Sequence, residues 1–164
     1  MNRRRTGAAL PALAVAASAA FTGGGLLTQT VIVPSWRRLE PGAALEAFRA
    51  AGGALGGTLF PVEIAAALLL GGAAWRAYRN GGQGRSSWAL ACGCMAVTVA
   101  LFPLYFAGAN HDLLDPGFAP GEVRAALDGW YAWNWARTGL AAVATALAVV
   151  GAARGGPGLG KGSP

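Results

Sequence analysis

The chain has 164 residues, 54% hydrophobic and 12% charged, with a formal net charge of +6. A soluble domain carries about 25% charged residues, so this chain cannot coat a water-facing surface and needs a bilayer as its solvent. Its basic residues fall in short groups beside apolar runs, the pattern that orients membrane proteins. A nucleic-acid interface would need a concentrated basic patch, so no nucleic-acid partner is expected.

A spanning helix takes ~20 apolar residues, and four such spans with their links use the whole length. After a basic start at 1–7 (Arg3, Arg4, Arg5), the first apolar run covers 8–33 and closes at Pro34. Its beginning imitates a secretory signal, but the run continues long enough to cross, so an uncleaved span is expected. The stretch 37–53 is more polar and reads as a loop or a short interfacial helix. The second span covers 54–75. A flexible basic turn follows, with Arg76, Arg79 and Arg85 among Gly81, Gly82 and Gly84.

The third span covers 88–107 and contains Cys92 and Cys94. Residues two apart on a helix face different sides, so the two thiols read as packing residues. The segment 108–121 reads as a loop. The helical pattern resumes at Glu122, with Val123, Leu127, Trp130 and Asn134 on one stripe. This helix starts near Pro120-Gly121 and crosses over 131–153. A Gly-rich tail, 154–164, is expected to be disordered.

Placing the N-terminus inside puts Arg3, Arg4, Arg5, Arg76, Arg79, Arg85, Arg154 and Lys161 inside, with no acid among them. Outside lie Arg37, Arg38, Arg49 and Arg124 with six acids. The positive-inside rule therefore predicts an all-α, four-helix transmembrane bundle with both termini cytoplasmic, multi-pass in the cell membrane. Trp36, Trp130, Tyr131, Trp133 and Trp135 would mark the outer interface, and Trp75 and Trp88 the inner one.

Two charges fall inside the spans, Glu63 and Arg137. An ionisable group at membrane depth is expensive and turns inward, toward a partner or a function. Each lies about six to nine residues below the outer end of its helix, or about 10–14 Å, so the depths permit a pair. Further polar residues gather at that level: Thr28, Gln29 and Thr30 on the first helix, Asn134 one turn before Arg137, and Tyr105, Asn110 and His111 at the end of the third. Trp133, four residues before Arg137, could give cation–π support. His111 is the only histidine and the natural proton carrier near neutral pH. Asp112 and Asp115 beside it lack metal-ligand spacing, so no metal and no cofactor are expected. The inner half reads as Ala, Leu, Val and Gly.

The segment Trp130-Tyr131-Ala132-Trp133-Asn134-Trp135-Ala136-Arg137-Thr138, entering the last span, resembles the anthrone-oxygenase-like family of small four-helix membrane proteins. So do the first helix ending in Val33-Pro34 near a basic pair, and Phe102-Pro103-Leu104 followed by Asn110. The resemblance covers about 23–150. It implies oxidation of polycyclic anthrones to anthraquinones by dioxygen, without metal or flavin. Asn110, His111, Asn134 and Arg137 would be the working positions. A base would remove a proton from the activated ketone, and Arg137 or Asn134 would stabilise the enolate.

Three functions stand as expectations. The first is a polar pocket at the outer helix ends, with His111, Asn134 and Arg137 catalytic and Gln29, Glu63, Tyr105, Asn110 and Trp133 binding a small aromatic ligand. The second is a non-catalytic scaffold held by a Glu63–Arg137 ion pair. The third is a proton-coupled transporter working through Glu63, which the apolar inner half disfavours. The lipid bilayer is the one partner all three require, and none of them sets an oligomeric state.

Overall fold

A computed structural model describes residues 3–155, with side chains from Ala9 onward. Among the described residues there are helices and no strands. Helix α1 (Arg3–Leu27) passes through a π turn (Thr28–Ile32) into α2 (Val33–Arg37). Helix α3 is Pro41–Arg79 and α4 is Arg85–Leu101. A second π turn (Phe102–Phe106) leads from α4 into α5 (Ala107–Leu114), and α6 is Val123–Gly155. These join into four rods, Ala9–Arg37, Pro41–Arg79, Arg85–Leu114 and Val123–Gly155, each long and apolar enough to cross a membrane. The chain is an all-α four-helix bundle. Helices α1 and α4 each pack against both α3 and α6, so α3 and α6 occupy one diagonal. Arg3 and Gly155 lie at the same end, called here the terminal end.

All four rods are longer than the apolar runs. Residues 41–53 are not a separate interfacial helix but the first turns of α3, started by Pro41 at the position where a missing N–H costs nothing. The expected loop at 108–121 is helical as far as Leu114. The reason is a second core beyond the spans. Val33, Trp36, Ala44, Leu45, Phe48, Leu113, Val123 and Leu127 bury one another at the distal end, and only helical spacing brings them onto common faces. Arg49 holds the end of α5 by donating from Nε to the Leu113 carbonyl at 3.3 Å and from Nη2 to the Asp115 carbonyl. A cation bonded to final-turn carbonyls suits the helix dipole. Of the expected tail, Arg154 and Gly155 complete α6; 156–164 lie outside the described residues, as do residues 1 and 2.

The terminal-end core is built mainly from small side chains: Ala14, Ala66, Ala73, Ala91, Ala141, Ala144 and Ala148 around Phe21, Leu70, Trp88 and Met95. Small residues let membrane helices approach closely. This half is not free of polar groups. Ser18 and Thr98 donate to carbonyls of their own helices, and Thr22 bonds Thr145 at 3.0 Å. Trp88 and Trp36 are buried rather than interfacial, whereas Trp75, Trp133 and Trp135 are exposed. Trp88 lies flat on Gly151, where an added Cβ would stand 2.8 Å from its Nε1. In the turn before α4, Gly81 (φ 60°) and Gly84 (φ 88°) adopt left-handed conformations that favour glycine.

Gly151→Val should therefore lower stability by about 1–3 kcal/mol through overpacking, read as a fall in thermal midpoint in micelles. The compensating Trp88→Leu should recover part of that loss. An unchanged midpoint for the single variant would contradict this packing.

Candidate functional site

Between the two cores lies a polar layer. Glu63 of α3 is 0% exposed, and the Arg137 side chain of α6 is 14% exposed. They meet across the bundle diagonal in a two-pronged pair: Arg137 Nε donates to Glu63 Oε1 at 3.1 Å, and Nη2 donates to Oε2. The guanidinium also lies over the rings of Phe21 (5.2 Å) and Phe106 (5.1 Å). Trp133, the aromatic expected there, points away and stacks on Tyr105 at 5.2 Å. Four residues along a helix share a face only approximately, and here the neighbouring helices supply the rings. Neither carboxylate bond uses Arg137 Nη1.

A second polar chain runs beside the pair. Gln29 Nε2 donates to the Tyr131 carbonyl at 3.0 Å, and Asn134 Nδ2 donates to Gln29 Oε1 at 3.0 Å. Gln29 belongs to the first π turn, which closes through the Val33 N–H to the Thr28 carbonyl. Pro34 has no N–H to continue the ordinary ladder. The wider turn carries one extra residue and re-aims the helix beyond it. The second π turn, around Pro103, closes through the Ala107 N–H to the Phe102 carbonyl. Beyond it, Asn110 Oδ1 accepts from Trp130 Nε1 at 2.9 Å.

These groups border a cavity of about 340 Å³. Arg137, Asn134, Asn110, Thr28 and Thr138 supply its polar wall; Phe21, Phe48, Phe60, Phe102, Phe106 and the tryptophans Trp36 and Trp130 supply most of the rest. The space exists because α3 presents Gly52, Gly53 and Gly56 to it. Added Cβ atoms at Gly53 and Gly56 would touch nothing within 4 Å. Volumes of this order, apolar with a few convergent polar groups, are typical of small-molecule sites.

Of the eight residues expected at the site, Asn110, Asn134 and Arg137 line the cavity. Gln29 and Glu63 stand directly behind, bonded to Asn134 and Arg137. Three do not join them. Tyr105 is half-buried against Trp133 and Phe106, Trp133 is 45% exposed, and His111 is exposed on α5. His111 follows Asn110 directly, and adjacent helical residues point about 100° apart; here that rotation leaves Asn110 on the cavity wall and His111 on the exposed face of α5. Sequence reasoning missed the aromatic lining and the glycine wall. The visible signal was the double pair Gly52-Gly53 and Gly56-Gly57 within one helix. Among the described residues, no three His, Cys, Asp or Glu side chains gather as a metal site, and Cys92 and Cys94 are free thiols.

Comparison with protein-family models, curated proteins and solved structures finds no match.

Removing one member of a buried pair strands the other charge, at a cost of about 3–5 kcal/mol, whereas replacing both by apolar residues is often neutral. Arg137→Ala should thus sharply lower the thermal midpoint in micelles. The double variant Glu63→Leu with Arg137→Leu should stay within a few degrees of the unaltered protein. Equal losses in both would show that the pair does not govern this layer.

Proposed function

We propose that this protein binds a flat aromatic ketone or phenol in the cavity, with the ligand oxygen at Arg137, and oxidises it with dioxygen. The observation that carries the reading is one cationic side chain on the wall of a mostly apolar, aromatic-rich cavity. Glu63 occupies Nε and Nη2 of Arg137, which leaves Nη1 for a ligand oxygen. Asn134 gives one amide hydrogen to Gln29 and keeps a second, and Asn110 spends its carbonyl on Trp130 and keeps its NH₂. The remaining polar groups are mostly donors, which suits an oxygen acceptor and above all an oxyanion.

The chemistry follows from that match. An anthrone bears an acidic CH₂ group, which loses a proton to water to form an enolate. Donors placed on the enolate oxygen favour that ionisation. The electron-rich carbon then reduces dioxygen to a carbon-bound hydroperoxide, which sheds water. The balance is R₂CH₂ + O₂ → R₂C=O + H₂O. His111 takes no part in this scheme, because it faces away from the cavity. The resemblance of Trp130–Thr138 to anthrone-oxygenase-like proteins supports the same substrate class.

A second reading has its own observation. The ion pair satisfies both carboxylate oxygens, as a purely structural brace would. An oxygen electrode separates the two. Proteoliposomes holding the chain should consume one O₂ per anthrone converted, faster than protein-free vesicles, and the double variant Glu63→Leu with Arg137→Leu should lose that excess. No excess uptake by the unaltered protein would leave the brace.

The same reading places the bundle in the cell membrane with its terminal end in the cytoplasm, since among the described residues that end carries seven arginines (Arg3, Arg4, Arg5, Arg76, Arg79, Arg85 and Arg154) and no acid. In a Cys92→Ala, Cys94→Ala background, Gly117→Cys should react with an impermeant maleimide on intact cells. Gln83→Cys should react only after permeabilisation. The reverse pattern would invert the topology.

A further inference from the structure

One helical stripe of α3 faces the third rod at the distal end. Arg49, Gly53, Gly56 and Phe60 recur at steps of four, three and four, the spacing of a single face. The top of the stripe is tied, since Arg49 bonds the Leu113 and Asp115 carbonyls. The bottom is also closed, since the Phe60 and Phe102 rings meet at 4.8 Å between centroids. Between these contacts no side chain from the stripe bridges the two rods: α3 packs along α4 and touches α5, and at the π turn 102–106 it is the Phe60 ring that reaches Phe102. Gly53 and Gly56 put no side chain into the gap, and both are exposed, as is Leu114 on the far side. All three also line the cavity. The cavity therefore opens sideways through the bundle wall, in a window framed by Arg49 above and Phe60–Phe102 below.

The height of the window identifies what it faces. Eleven residues separate Arg49 from Phe60, about 16 Å of helix. Roughly 20 residues cross the hydrocarbon layer; counted back from the exposed Trp75, they end between Gly53 and Gly56. The gap thus meets the boundary between acyl chains and headgroups in the distal leaflet. The rings of Trp36, Phe48 and Phe106, which also line the cavity, are by contrast buried.

We infer that this window is the ligand's entrance, and that the ligand is a membrane-dissolved aromatic with one oxygen end that arrives from the distal leaflet rather than from water. The inference rests on the proposed function. An apolar ring system passes the glycine side without meeting a side chain, and its oxygen reaches Arg137 last. Phe60 lies one turn before Glu63 on the same helix, so the Phe60–Phe102 pair shields the ion pair from lipid while the ligand enters above it.

Benzophenone, a lipophilic aromatic ketone that couples to nearby C–H bonds under light, serves as probe with the full chain in proteoliposomes. In the unaltered protein, photolabelling should concentrate on peptides carrying Thr28, Phe106 and Thr138. Gly56→Leu, and separately Gly53→Leu, should slow the initial labelling of those peptides at least fivefold, with a plateau within twofold of the original. Labelling of the lipid-facing Leu90 should not change. Gly57→Leu, outside the cavity lining, should behave like the unaltered protein. Unchanged initial rates in both window variants would overturn the entrance while leaving the proposed function intact. So would crosslinking of two chains through Gly53→Cys, which would give the window to a second copy. Absence of cavity labelling in the unaltered protein would overturn the binding reading and the entrance with it.

Discussion

A carboxylate and a guanidinium lie on the diagonal of a bundle whose surroundings offer little else to solvate them. Either charge alone at this depth would cost several kcal/mol. Joined by two parallel bonds, with aromatic rings over the guanidinium, each becomes the other's solvent. Because α3 and α6 are diagonal partners, the pair reaches through the centre and fixes their relative height. Helices α1 and α4 then pack on either side, and Gln29 and Asn134 fall into register at the same level. Much of the geometry of the polar layer depends on where Glu63 can meet Arg137.

The cavity results from joining two kinds of packing. Toward the terminal end, alanine faces let the helices come close, and a single glycine admits the Trp88 ring. Toward the distal end, tryptophan and phenylalanine hold the helices apart. Rings are too large and too stiff to fill the change of width completely. The two π turns occur where α1 and α4 pass from one regime to the other, each beside a proline that interrupts the ordinary ladder. Glycines on α3 leave the remaining space open on one side. A polar layer next to an aromatic void is thus a consequence of stacking two cores of different grain.

This arrangement separates tasks among neighbouring residues. Glu63 and Gln29 hold Arg137 and Asn134 in place without touching the cavity, and Arg49 and Phe60 set the limits of the opening. Asn110 is fixed through Trp130, so α5 and α6 are coupled at the rim. An oxygen-bearing aromatic would find its donors already oriented, which reduces the ordering that binding has to impose.

Charge scarcity and the spacing of apolar runs alone determined the solvent, the helix count and the presence of two buried charges. Those properties are additive along the chain. The depths of Glu63 and Arg137 were legible for the same reason, since a helix rises a constant ~1.5 Å per residue. The tertiary structure alone decided which neighbour enters the cavity. His111 and Asn110 are adjacent, yet helix rotation turns one outward; Trp133 yields its expected place over Arg137 to Phe21 and Phe106 from other helices. The full length of α3 and α5, and the buried positions of Trp36 and Trp88, depend on contacts between segments far apart in sequence. Such contacts arise from packing in three dimensions, and a one-dimensional pattern of residue types does not contain them.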